Sequence, residues 1–180
     1  MRLILALLLI VSTVPGVSAK SRDPIHIATG IKPAQQVVAE IVSLALKKSG
    51  FRSEKVVIPP HGLGTALADG SVHMHPSAIL SERPGLGDLI ASGKVRTLGG
   101  LIGNGRDEDI QKLVWPGMKR KWPNAQKMLK RMVLTPAQIA DLLRAMQSGT
   151  AAADVAAAWW KENPKVWSPW IAASKNWMKP

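Results

Sequence analysis

The chain has 180 residues and a formal net charge of +12, from 24 Lys and Arg against 12 Asp and Glu. It contains no cysteine, which excludes a disulfide scaffold, a thiol nucleophile, a Cys-ligated zinc and a lipid anchor on an N-terminal cysteine. The length suits one domain resting on a hydrophobic core, and the positive charge favours anionic surfaces such as nucleic acid, phospholipid or lipopolysaccharide without specifying a fold.

The N-terminus reads MRLILALLLIVSTVPGVSA (1–19). Arg2 precedes an uninterrupted apolar run over 3–11, and Val17-Ser18-Ala19 places small residues where a signal peptidase cuts. This is the pattern of a secretory signal peptide cleaved after Ala19. The run is about half of what a bilayer-spanning helix needs, and no later segment is long and apolar enough to span. Residues 20–180 are expected to form a single exported domain in the periplasm.

PIHIATG (24–30) is a short β-prone stretch ending at glycine. PAQQVVAEIVSLALKKSG (33–50) predicts a helix: Pro33 suits the first position, and Val37, Ile41, Leu44 and Ala45 share a face. Lys47 and Lys48 complement its C-terminus and Gly50 ends it. KVVIPP (55–60) reads as a second strand stopped by prolines. HGLGTALADGSVHMHP (61–76) supplies a turn, a short helix at 63–69 and a strand at 71–75. SGKVRTLGGLI (92–102) is another strand, after a loop or short helix at 86–91. Strand and helix alternate as in a mostly parallel α/β sheet.

GNGRDEDIQ (103–111) reads as a polar loop. From Lys112 to Arg131 there are seven Lys or Arg and no acid. LTPAQIADLLRAMQSG (134–149) predicts a helix with Thr135 as cap, Pro136 at the first position and Gln138 completing a capping box. Ile139, Leu142, Leu143 and Met146 form its apolar face. AAADVAAAWWKENP (151–164) predicts another, ended by Asn163-Pro164. The tail WSPWIAASKNWMKP is rich in Trp and poorly periodic.

Several residue groups invite a functional reading. His73 and His75, two apart on a strand, share a face and could share a metal. No third ligand lies close in sequence, so no metal site is expected. The turns at 29–33 and 61–65 each follow a strand and open a helix, where free N–H groups gather and ligands collect. HGLGT lacks the spacing of a phosphate loop. Trp159, Trp160, Trp167 and Trp170 cluster near the C-terminus, where core packing accounts for them. The basic run has Met128, Leu129 and Met132 as its buried side and its charges as a solvated face. There is no GxSxG, no HExxH and no acid pair at suggestive spacing, so neither catalysis nor a cofactor is expected.

Together these segments resemble the substrate-binding proteins of glycine betaine and related quaternary-amine ABC transporters, over roughly 24–102 and 111–171. IHIATGIKPAQQVVAEIVSLALKKSGF is similar to that family's opening strand-turn-helix, HGLGTALADGSVHMHP to its second unit and SGKVRTLGG to its next strand. The C-terminal part matches the family's run of N-P, W, NP and W positions at Pro123, Leu129, Leu134, Thr135, Gly149, Ala157, Trp160, Asn163, Pro164 and Trp170. The resemblance implies one lobe of a periplasmic-binding-protein-like clamshell with a helical C-terminal region. It further implies a small zwitterionic or quaternary-ammonium solute, and permease and ATPase subunits as partners, with no specific nucleic acid. Within that lobe Thr29, Gly30, His61, Gly64, Thr65 and His75 would form the binding edge. Two departures stand out. Between Gly103 and Lys112 the family carries most of a second lobe, and after the third strand, where the family is often aromatic, this chain reads Pro76-Ser77-Ala78. Two other readings remain: a basic module that binds anionic envelope polymers through Lys119, Arg120, Lys121, Lys127, Lys130 and Arg131, and a folded remnant that binds nothing.

Overall fold

The structure, a computed structural model, describes residues 23–103 and 109–175; the expected signal peptide lies outside them. A five-stranded sheet has the order β2-β1-β3-β5-β4, with β1 at Ile25–Thr29, β2 at Ser53–Val57, β3 at Met74–Ile79, β4 at Arg96–Gly100 and β5 at Ile110–Val114. β1 pairs in parallel with β2 and β3, whereas β5 runs antiparallel to both β3 and β4. Four strands therefore share one direction and β5 alone opposes them.

β5 corrects the reading of 103–111 as a loop: Ile110 and Gln111 already belong to a strand. The third strand also lies later than expected. It runs straight through Pro76, and the position read as following it, Pro76-Ser77-Ala78, is inside it. Proline removes a ladder donor, and the β3–β5 register shifts between His75 and Ala78, so the missing N–H falls where the ladder is already broken.

Helix α1 (Pro33–Lys48) has the predicted proline start, basic last turn and a Gly50 exit at φ 77°. Its buried Val37, Val38, Ile41, Val42 and Ala45 lie against one face of the sheet. The basic segment folds as α4 (Met118–Lys121) and α5 (Pro123–Arg131). Helix α6 (Pro136–Gln147) and α7 (Ala152–Glu162) follow, and the tail read as poorly periodic is α8 (Pro164–Lys175), a helix that contains Pro169. These elements build a large core on the α1 side around Trp122, Met128, Leu129 and Trp159. On the other side α2 (Leu63–Asp69) and α3 (Leu86–Ala91) cover a smaller core of Ala28, Leu63, Leu67, Leu86 and Leu113. Adjacent strand residues enter opposite cores, as period-two side chains must: Ile27 against Ala28, and Val114 against Leu113.

Among the described residues no helix is long and apolar enough to cross a membrane.

Candidate functional site

The ends of β1, β2 and β3 set the geometry of the rim. The Ile58 N–H donates to the Thr29 carbonyl at 2.9 Å, tying the exit of β2 to that of β1. After β2 a one-turn 3-10 helix, Pro60–Gly62, leads directly into α2. After β3 a second such turn, Leu80–Glu82, delivers Arg83, whose Nη1 donates to the Pro60 carbonyl at 3.1 Å. Lys32 pairs with Glu82 across the same edge. Three successive strand exits are thus laced together at one end of the sheet.

The six expected edge residues occupy this end at different depths. Thr29 and Gly30 are buried. A Cβ on Gly30 would lie 1.9 Å from Oε1 of Gln35, so a larger residue there would displace the Gln35 side chain, which donates to the Ser77 carbonyl at 3.5 Å. His61 and Thr65 are exposed, and Gly64 is half-buried against Leu86 and Leu89 of α3. His75 is 1% exposed and lies under the rim, one residue on from the Met74–Ile27 pairing.

His73 and His75 keep separate company. The His73 Nδ1 accepts the His26 N–H at 2.8 Å, and its ring stacks on His26 at 4.9 Å and meets Trp122 edge-on at 4.5 Å. Burial, reinforced by His26 and Lys121, holds its pKa at about 4, so it packs as a neutral ring. His75 instead sits beside Arg83. Burial first, and that guanidinium second, push its pKa down to about 3. Its Nδ1 accepts the Ser77 N–H at 3.2 Å. No three His, Cys, Asp or Glu side chains converge among the described residues.

The described aromatic side chains all lie in or against the α1-side core, away from the rim. Trp159 and Trp170 stack at 6.2 Å, and Trp160 and Trp167 at 4.3 Å with rings 7° from parallel. The packing reading of the C-terminal tryptophans holds. Beside the rim a small apolar pocket of about 60 Å³ is lined by Lys32, Gln35, Ser77, Ile79, Leu101 and Ile139, among others. Larger grooves, about 350 and 330 Å³, lie elsewhere, one beside Ser43 and Phe51 and one between α6 and α7.

Two buried polar residues escaped the sequence reading. Lys112, on β5, is 1% exposed, and its Nζ donates to the carbonyls of Lys130 at 3.0 Å and Met132 at 2.7 Å. It satisfies orphan carbonyls at the C-terminal end of α5, where a cation also meets the negative pole of the helix. Burial, with Lys130 nearby, lowers its pKa to about 8. Arg83 is 5% exposed, and among the described residues no carboxylate lies within salt-bridge distance of it. A lone arginine in a loop carries no periodicity or spacing that would announce it. On α4 and α5 the six basic residues named above are exposed while Met118, Ala125, Met128 and Leu129 are buried, as the solvated-face reading requires.

Comparison with known proteins places this arrangement. Residues 99–162, which take in β5 and α4 to α7, match the family model for the substrate binding domain of ABC-type glycine betaine transport systems. The whole fold is similar to that of lactococcal OpuAC, solved closed with glycine betaine, with a TM-score of 0.70 and 12% identity over 83% of this chain and 100% of that one. It is similar to an ABC-transporter choline binding protein in complex with choline, with a TM-score of 0.69 and 12% identity over 84% and 96% of the two chains. It is also similar to the glycine betaine/L-proline-binding protein ProX of Borrelia burgdorferi, at 0.69 and 8% over 84% and 100%. The chain therefore carries, in one lobe, the fold of the glycine betaine and choline substrate-binding proteins, and over residues 99–162 their sequence pattern.

Proposed function

We propose that this chain is the exported substrate-binding component of a glycine betaine or choline-type ABC uptake system, reduced to one lobe, with residues 20–180 acting as a single solute-binding unit in the periplasm. The observation that carries this reading is the match of residues 99–162 to the substrate-binding domain of such systems, together with a fold likeness that extends over most of the chain. Thr29, Gly30, His61, Gly64, Thr65 and His75 are its binding edge. Loops that leave neighbouring strand ends of such a sheet are where ligands gather, and this edge would take the carboxylate end of a zwitterion. Permease and ATPase subunits are the partners, and the chain is a binding protein rather than an enzyme.

The described aromatic side chains lie in the core, so in this reading the quaternary ammonium is met by groups outside them. Isothermal calorimetry with glycine betaine, choline and carnitine tests the proposal. The expected result is saturable heat with at least one of them. No heat, together with no thermal shift at millimolar solute, overturns it.

A second reading rests on a separate observation. From Ile110 to Ala140 the chain has no acid, and Lys119, Arg120, Lys121, Lys127, Lys130 and Arg131 are exposed on α4 and α5. Such a face suits anionic envelope polymers through counterion release. Retention on heparin with steep salt dependence supports it, and elution at low salt removes it.

A further inference from the structure

Helix α1 meets the edge strand β2 along a polar seam. Glu40 pairs with Lys55 at 2.6 Å, and the Ser43 and Ser53 hydroxyls lie 3.0 Å apart. Residues three or four apart share a helix face and residues two apart share a strand face, so helix and strand advance together from rung to rung. The next helix position along the seam is Lys47, and no opposite charge meets it there. With Arg52 it lines an open groove of about 350 Å³, whose other walls are Pro24, Ser43, Phe51, Ser53 and Glu54.

Two cations thus border one space. Among the described residues neither has a carboxylate within salt-bridge distance, and the acid on the groove wall, Glu54, lies 3.7 Å from His26 instead. Like charges beside one groove repel, and an anion between them replaces that repulsion with two attractions. Of the two linked hydroxyls only one donates to the other, so a second O–H hydrogen is left for a ligand. The end of α1 opposes an anion only weakly, because its carbonyls at Ala45, Leu46 and Lys47 already accept the N–H groups of Ser49, Phe51 and Gly50.

We propose that Lys47, Arg52 and the Ser43–Ser53 hydroxyls form a binding site for a phosphomonoester with an apolar or aromatic body. The guanidinium fork takes two phosphate oxygens and the ammonium acts on the group as a point charge. Pro24 and Phe51 supply an apolar wall for the body, and the volume lies within the range of small-molecule sites. The site sits where β1 and β2 begin, at the far end of those strands from the rim, and takes no residue from α4 or α5. It stands whether or not the transport reading does.

The test titrates the full mature chain, labelled with ¹⁵N and held at fixed ionic strength, with inorganic phosphate, phenyl phosphate and phosphatidylcholine vesicles doped with phosphatidic acid. The Arg52 Nε–H signal is followed throughout. Phenyl phosphate is expected to move it saturably and to bind more tightly than inorganic phosphate. Arg52→Gln and Lys47→Gln, both at exposed positions where the fold tolerates change, are each expected to weaken binding by about tenfold. Lys94→Gln, exposed just before the opposite edge strand β4, is expected to leave it unchanged. Vesicle binding that is lost in the same two variants identifies a lipid headgroup as the ester, and phenyl phosphate binding without vesicle binding identifies a soluble one; either supports the site. Equal weakening by Lys94→Gln shows that net charge alone is read and overturns the proposal. So does inorganic phosphate binding as tightly as phenyl phosphate, or no saturable response to phenyl phosphate.

Discussion

The buried amine of Lys112 makes stability depend on pH in a window that is usually crowded. Its native pKa is about 8 against an ordinary 10.5. Below pH 8 both folded and unfolded chains hold the proton, and the folded state bears the full cost of a desolvated ammonium. Between pH 8 and 10.5 the unfolded chain binds more protons than the folded one, so stability rises with pH. The gain is at most about 3.4 kcal/mol, from 1.36 kcal/mol per pH unit of difference. The neutral amine still carries two hydrogens for the Lys130 and Met132 carbonyls, so the contacts survive deprotonation. The chain has neither Cys nor Tyr, which leaves exposed lysines and the N-terminus as background, and these cancel in a comparison with Lys112→Met. Urea unfolding read by tryptophan fluorescence at pH 7.5, 9 and 10.5 measures the effect. Wild type should gain about 2–3 kcal/mol relative to Lys112→Met across that range. A difference between the two that stays constant with pH refutes the reasoning.

Leu129 and Lys127 sit on opposite sides of α5, one 0% exposed and the other free in solvent. Leu129→Ala should cost about 2–5 kcal/mol in urea unfolding and Lys127→Ala less than about 0.5 kcal/mol; equal effects contradict the assigned faces. Thr135 accepts the Gln138 N–H at 3.2 Å, and Gln138 Oε1 accepts the Thr135 N–H at 2.8 Å, so Thr135→Ala should lower stability by about 1 kcal/mol. Gly70 has φ 81°, and a Cβ there would meet the Trp115 indole at 2.9 Å. Gly70→Ala should therefore cost about 1–3 kcal/mol and shift the thermal midpoint down. Because His73 and His75 are held near 4 and 3, the unfolded chain takes up protons first as pH falls below 6.5. Stability should then drop between pH 6.5 and 4, and an unchanged urea midpoint over that range argues against buried neutral imidazoles.

The helices announced themselves through local chemistry. Pro33 and Gly50 bracket α1, and Thr135, Pro136 and Gln138 mark the start of α6 with a signal carried within four residues. The failures share one cause, which is that tertiary partners outvoted local pattern. Ile110–Val114 carries Gln111 and Lys112 in its middle and reads as polar. It is a strand because it fills the slot between β3 and β4 and because Lys112 finds two carbonyls 18 and 20 residues away. Pro76 suggested a strand end, but a ladder irregularity supplied by β5 absorbs it. Pro169 and the scattered tryptophans hid α8, whose Trp167 Nε1 is satisfied by the Trp160 carbonyl of the preceding helix. At the rim, strand-turn-helix punctuation pointed to Thr29, Gly30 and the 61–65 turn. Arg83 gains its meaning only from Pro60 and His75, which lie 23 and 8 positions earlier.

The first helix made is covered by the last ones: α1 packs against α6, α7 and α8 as well as against the sheet. During synthesis, then, the apolar flank of residues 37–46 has no lasting shelter until nearly the entire polypeptide has emerged from the ribosome.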